Sequence, residues 1–540
     1  MLTRPAVCSA LLSMFTLACA GTGGASGGGS GSAGGGSESS GGGSGATGGG
    51  MGSSGGGMGS SGGGSAGGGT GGSGGMSGGG SGSTGGGSGR TVSGTRSATF
   101  YSDKAPVVVK ADLTSVPVIA WWEADGGFTS ASGSGTADGH FSVPGLPTGP
   151  VYLRLGAASF IYTPSDTVDL DQAEVGRPGQ ATVTGTNLTI NATGLSGWAT
   201  YDEVALAVTN NGARVDDLTK VGATKPANGA TTASFVISYT GPLIEAAQGD
   251  VVRLYQNRVF ATPVPNQVAV SAAAVNGLTQ INGTPSTVNA VFSPLAMTTV
   301  DLDLKVSQFE AWKSDVNPQA TVSSSQFVVY GAPAAAAMHG LPGSTPTLLF
   351  VPVDPGSADV TGTFSFGNPF PSTSTLVTSR VTAFAVPFTA PGASSPLKHS
   401  SLLASITPLA FHPSTSLPTI SPPRQLKVNG QALTAPLSGV GQSPVVTWVP
   451  PALGTPDRYV LSVLRLVNNG GASAEQLVAT IRCKGTVTRV AIPPGVLAAG
   501  SSYLLALTAS VNGGVDVDQH PFELAAIFDT AEAVAGPITP

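Results

Sequence analysis

The chain has 540 residues, among them 80 Gly and 40 Pro, and only 10% are charged. Helical and α/β proteins carry about a quarter charged residues, so strands and turns are expected to dominate here. The formal net charge is −6, and the 23 Lys and Arg are scattered without a basic run interleaved with aromatics, which argues against nucleic acid as a partner.

Residues 1–20 begin with one cation, Arg4, followed by the apolar run ALLSMFTLA and small residues, the layout of an export signal. No later stretch reaches the ~18 unbroken apolar residues that a membrane-spanning helix needs. Two processing readings stand side by side. Ala18-Cys19-Ala20 before Gly21 fits ordinary signal cleavage, which would release a secreted chain. Thr16-Leu17-Ala18-Cys19 resembles the lipobox of bacterial lipoproteins, and that resemblance implies Cys19 as the lipidated first residue of the mature chain, anchored in the membrane. Ala20 after the cysteine implies, by the same resemblance, delivery to the outer membrane.

Residues 21–94 are read as a linker. From Gly21 to Gly89 the chain is almost wholly Gly and Ser, with Glu38 as its only charge. Such a segment cannot bury a core and is expected to be disordered, with a root-mean-square span of about 45 Å at roughly 5–6 Å × √n. A spacer of this kind makes most sense with its start fixed at a membrane. It is similar to the Gly/Ser tethers of surface lipoproteins in Gram-negative bacteria such as myxobacteria.

Beyond the linker, apolar residues recur in short alternating or β-branched runs bounded by Gly, Pro, Asn and Ser, such as VYLRLGA, EVALAVTNNG, ASFVISYTG and SQFVVYGAP. This period predicts an all-β chain of tandem antiparallel β-sandwich domains. Only GPLIEAAQGD and APAAAAMHG read as helical, for a turn or two. The first domain is placed at 95–178. In GTADGHFSVPGLPTGPVYLRL, Asp138-Gly139 makes a tight turn, Phe141 and Val143 alternate inward, and Tyr152, Leu153 and Leu155 belong to the next strand. This pattern resembles the second half of a carboxypeptidase regulatory-like (transthyretin-type) module, a resemblance that implies an accessory sandwich without catalytic residues.

The middle is divided into β-rich domains at 179–310 and 311–420, at the polar segment WKSDVNPQAT, although the two could form one unit. The last domain is placed at 421–540. There Trp448 lies on an early strand, DRYVLSVLRL gives the next, and Leu497-x-x-Gly500-x-x-Tyr503 precedes an alternating apolar run. This spacing resembles a fibronectin type III domain. The resemblance implies that Trp448 is the core tryptophan, that Tyr459 is its partner aromatic, and that Tyr503 is a corner tyrosine bonding back to the chain.

Candidate chemistry is sparse. His140, His339, His399, His412 and His520 are widely separated, so metal-ligand spacing is absent and no cofactor motif is found. Asp169/Asp171 and Asp301/Asp303 each share a strand face, but no calcium loop accompanies them, and solvated strand faces are the plainer reading. Cys483 reads as a small buried side chain on a strand. In IAWWEADGG, adjacent Trp121 and Trp122 point to opposite faces of one strand, so one fills the core while the other looks outward. An outward tryptophan could stack on a sugar or anchor a protein partner, or it could pack beneath a neighbouring loop or domain.

The leading expectation is a non-catalytic surface lipoprotein for display, adhesion or envelope assembly. A carbohydrate-binding protein using Trp121 or Trp122 is the second, and a hydrolase with its site in the middle region the third.

Overall fold

The computed structural model describes residues 89–156, 158–341 and 345–540. Cys19, the signal segment and most of the Gly/Ser linker lie outside the described residues. What is described is all-β, with helix limited to single turns such as Val306–Glu310 and Ala334–Met338. The strands form four sandwiches in chain order.

The first sandwich contains β1 (Arg90–Thr95), β2 (Ser97–Tyr101), β3 (Val107–Lys110), β4 (Val118–Ala124), β5 (Gly127–Ser132), β6 (Ser134–Gly135), β7 (His140–Leu146), β8 (Val151–Leu155), β9 (Ser159–Thr163), β10 (Thr167–Asp169) and β11 (Gln172–Val175). One sheet has the order β10-β1-β7-β6, and the facing layer joins β5, β4, β8 and β9. Their inner faces meet in a core built on Val92, Phe141, Val143, Val118 and Leu153. The inward alternation of Phe141 and Val143 and the turn at Gly139, with φ of 84°, are as the sequence implied.

The fold begins earlier than residue 95, however. RTVSGT forms β1, whose single large apolar residue, Val92, is fully buried. Gly94, within the segment read as linker, is glycine for a packing reason: a Cβ there would lie 1.7 Å from the Val168 carbonyl oxygen. Arg90 closes the entry, its guanidinium bonding Asp166 and the carbonyls of Gly149, Pro164 and Ser165.

The second sandwich holds β12 (Thr182–Thr193), β13 (Glu203–Val208), β14 (Ala213–Val215), β15 (Thr232–Pro242), β16 (Val252–Phe260), β17 (Asn266–Val275), β18 (Ser286–Val291) and β19 (Ser293–Pro294) around Trp198, Phe235 and Leu254. The third has β20 (Met297–Leu304), β21 (Thr321–Pro333), β22 (Leu349–Val353), β23 (Val360–Gly367), β24 (Ser374–Phe388) and β25 (Leu397–Pro408). Most buried residues of the second sandwich gather around Trp198, whereas most of those from Val300 onward join a larger cluster that also takes in Tyr255 and Val268 and extends into the fourth sandwich. The polar segment around 312–320 is a pair of helical turns and a loop within the third sandwich.

The fourth sandwich has β26 (Arg424–Val428), β27 (Gln431–Ala432), β28 (Leu437–Ser438), β29 (Val445–Val449), β30 (Arg458–Asn469), β31 (Ala472–Lys484), β32 (Arg489–Ala491), β33 (Ser502–Val511) and β34 (Phe528–Thr539). A sheet ordered β27-β26-β29-β32 faces a layer in which β30 lies between β31 and β33, and β33 pairs β34. Trp448 packs edge-on to Tyr459 with ring centroids 5.2 Å apart. The corner expected of Tyr503 is present: the Ala498 N–H donates to its hydroxyl at 2.8 Å, and Gly500 turns the chain with φ of 74°. Tyr503→Phe leaves that N–H unpaired and is expected to cost about 1–3 kcal/mol. Denaturant unfolding of the whole chain checks this, and an unchanged midpoint would show that the corner contributes nothing.

The sandwiches do not simply follow one another. β9 of the first pairs in parallel with β31 of the fourth, from Ser159↔Thr480 to Tyr162↔Cys483. β25 of the third pairs β34 of the fourth, and β17 of the second pairs β22 of the third. Hydrogen-bonded pairing therefore runs through all four, and strand edges that would otherwise be open are covered internally.

Candidate ligand-binding face

Because side chains alternate along a strand, the register of β5, β4, β8 and β9 defines one face of the first sandwich. It presents Phe128, Ser130 and Ser132 on β5, Ile119, Trp121 and Glu123 on β4, Tyr152 and Arg154 on β8, and Phe160 and Tyr162 on β9. This face turns away from the sandwich's own core. Trp122 points the other way and packs, half-buried, against that core.

The face runs into the fourth sandwich at a step. Tyr152, fully buried, accepts the Ala491 N–H at 2.7 Å and donates to Glu123 at 3.1 Å. The Arg489 guanidinium grips both oxygens of Glu123, at 2.9 and 2.6 Å. This pairing with Arg489 holds the Glu123 carboxyl below the usual carboxylate range against the opposing effect of burial. Glu123, the one acidic residue in an aromatic setting, is thus an anion locked to Arg489, the opposite of what a general acid requires.

Away from the step the face is half-open. Trp121 and Phe128 are half-buried, and Ser130 and Ser132 are exposed. The Arg154 guanidinium carbon lies 4.7 Å from the Trp121 ring centroid and 5.6 Å from that of Phe160, and the two rings are 5.6 Å apart. Phe160 and Tyr152 are buried in the core shared with the fourth sandwich, and Trp121, Phe128 and Tyr162 pack against it, so what remains for a ligand is the uncovered part of Trp121 and Phe128, the Ser130 and Ser132 hydroxyls and Arg154. The sequence reading found Trp121 but missed Arg154, Phe160 and Phe128. The period-2 pairs Tyr152/Arg154 and Phe160/Tyr162 were the available signal, but the register that brings them beside Trp121 is tertiary.

One histidine does gather partners from distant segments. His399 donates through Nδ1 to Glu475 at 2.8 Å and through Nε2 to Glu532 at 3.1 Å. Ser401 and Thr508 also donate to Glu532, at 2.9 and 3.1 Å. Burial opposes the charged ring, yet the two glutamates outweigh it and raise its pKa to about 10. Both nitrogens carry protons and both are engaged, and Ser401 bonds a carboxylate rather than the imidazole. This is a buried ionic clamp between the third and fourth sandwiches, not a base poised beside a nucleophile.

The remaining candidates are spread apart. His140 lies 3.6 Å from Asp138, and His520 lies 3.8 Å from Asp169. His339 stacks on Tyr101, and burial pushes His412 down to about 4. Asp301 accepts from Thr363, and Asp303 pairs with Lys305 at 2.8 Å. Among the described residues, no group of three or more His, Cys, Asp or Glu is placed to hold a metal ion. Cys483 is buried and its thiol pushed up by that burial, so it is no ready nucleophile. No helix among the described residues is long and apolar enough to cross a membrane.

No protein-family model matches the chain, and no curated protein matches it. Among solved structures, a Streptococcal ancillary pilin is 11% identical over 57% of this chain and 95% of its own, with a TM-score of 0.10. The pilus adhesin SpaC from Lactobacillus rhamnosus GG is 9% identical over 74% of this chain, with a TM-score of 0.10, and the match covers 43% of that adhesin. At such scores neither likeness carries an argument about this chain, and the functional reading stands on its own geometry.

Proposed function

We propose that this is a non-catalytic cell-surface protein that binds a partner through the face around Trp121, with a polysaccharide as the preferred ligand class. The observation that carries the reading is that face itself: the half-buried Trp121 and Phe128 rings beside exposed hydroxyls, on a sheet fixed by strand pairing to the fourth sandwich. Welded sandwiches suit display, because they hold such a face rigid. Lipidation of Cys19, with the Gly/Ser segment as spacer, supplies the attachment to the outer membrane in this proposal, since acyl chains contribute about 0.8 kcal/mol per buried CH₂. An ordinarily cleaved, secreted chain is the alternative.

One experiment addresses both parts. The full chain, Trp121→Ala and Cys19→Ser are expressed in a Gram-negative host and compared for fatty-acid labelling, membrane retention and binding to an array of envelope glycans. Trp121→Ala should stay labelled and lose binding at least tenfold; Cys19→Ser should keep binding and lose both label and retention. Unaltered glycan binding by Trp121→Ala sinks the proposed face, and a mature chain starting at unmodified Gly21 sinks the anchor.

A further inference from the structure

We infer that the Trp121 face selects an acidic polysaccharide, and that Arg154 receives a carboxylate of one of its sugar units. This rests on the proposal that the face binds a glycan, and it names the class.

Several arginines of the chain are bonded to acids. Arg177 reaches Asp250 and Glu245 at 2.5 and 2.6 Å, Arg258 reaches Asp202 at 2.8 Å, and Arg489 reaches Glu123 at 2.6 Å. Arg154 differs. Among the described residues its guanidinium lies over two aromatic rings, and its Nε, like those of Arg253, Arg380, Arg458 and Arg465, is buried without a hydrogen-bond partner. Burial alone lowers its pKa, and no nearby acid offsets that effect. Arginine nonetheless remains a cation with five donors, so the face holds a charge that the fold itself does not neutralise.

The nearest acid on the same face, Glu123, is bonded at both oxygens by Arg489, so that pair adds no net charge. The local balance is therefore one unmatched positive charge on a chain whose total is −6. A planar guanidinium lying over two rings offers its fork for a bidentate bond to a carboxylate, the strongest use of that fork. Beside it stand Trp121 and Ile119, for the C–H face of a sugar ring, and Ser130 and Ser132, for its hydroxyls. A uronic-acid unit carries all three complements.

The test is titration of the full chain with uronic-acid oligosaccharides and with the same oligosaccharides fully methyl-esterified, which removes the charge and keeps the ring. The acid forms should bind at least tenfold more tightly, with affinity falling as salt rises. Arg154→Gln should reduce the preference to within about twofold, and Arg154→Lys should restore part of it. Equal binding of acid and ester by the unmodified chain overturns the inference while leaving a glycan-binding face intact, and it does so whether or not a variant folds. Binding of neither form, with a neutral glycan array also blank, overturns both readings.

Discussion

Replacing His399 with leucine is expected to destabilise the protein by about 3–5 kcal/mol, because it leaves charge in the interior without a partner. The ring bridges Glu475 and Glu532 from opposite sides, and Glu532 is itself buried. The same clamp should show in the pH dependence. The His399 pKa stands near 10 in the folded protein against 6.5 in an ordinary setting, so the unfolded state loses its proton first. The stabilisation is then complete below about pH 6.5 and disappears as pH rises through about 10. Denaturant midpoints of the wild-type chain should fall between pH 7 and 10, and those of His399→Leu should fall much less. Parallel curves for the two proteins would mean that the clamp is neutral. The triple change His399→Leu, Glu475→Gln, Glu532→Gln should recover much of the loss, since a buried charge cluster can often be replaced without penalty when no member is left alone.

Much of this architecture is legible in the sequence, and the reason is local. Inward alternation at Phe141 and Val143, the turn at Gly139 and the spacing from Leu497 to Tyr503 are short-range patterns, each fixed by a period of two or by one backbone conformation. What the sequence hides is long-range. Nothing in SFIYT announces that it pairs with TIRC, over three hundred residues away, because strand pairing is made by backbone groups that every residue carries. The same limit hid the proposed face around Trp121. Trp121 stood out by composition, whereas Arg154 becomes notable only once the register sets it over the tryptophan ring. The clamp at His399 was hidden for the same reason: its two glutamates come from β31 and β34. Gly94 misled in the other direction. It fell inside the segment read as linker, while its actual constraint is the closeness of Val168 in the neighbouring strand.

Tyr152→Ala is expected to have an effect as large as that of His399→Leu, but one confined to the seam between the first and fourth sandwiches. The ring is 1% exposed, packs 4.8 Å from Tyr162 and 5.5 Å from Phe128, and its hydroxyl ties Ala491 to Glu123. Removing it opens a cavity costing about 3–5 kcal/mol and also leaves the Ala491 N–H unpaired. Tyr152→Phe keeps the ring and should cost about 1–3 kcal/mol through that N–H alone. The difference between the two variants measures how far the seam depends on packing rather than on the β9–β31 backbone pairing. Hydrogen exchange gives the local readout. Amides of residues 159–163 and 480–483 should lose protection in Tyr152→Ala while the cores of the second and third sandwiches keep theirs. The proposed binding face should suffer too, since Trp121 and Arg154 lie on the strands that flank and include Tyr152. Glycan affinity falling in step with seam protection would tie rigidity of the junction to recognition. Full affinity with an unprotected seam would show that the first sandwich binds unaided.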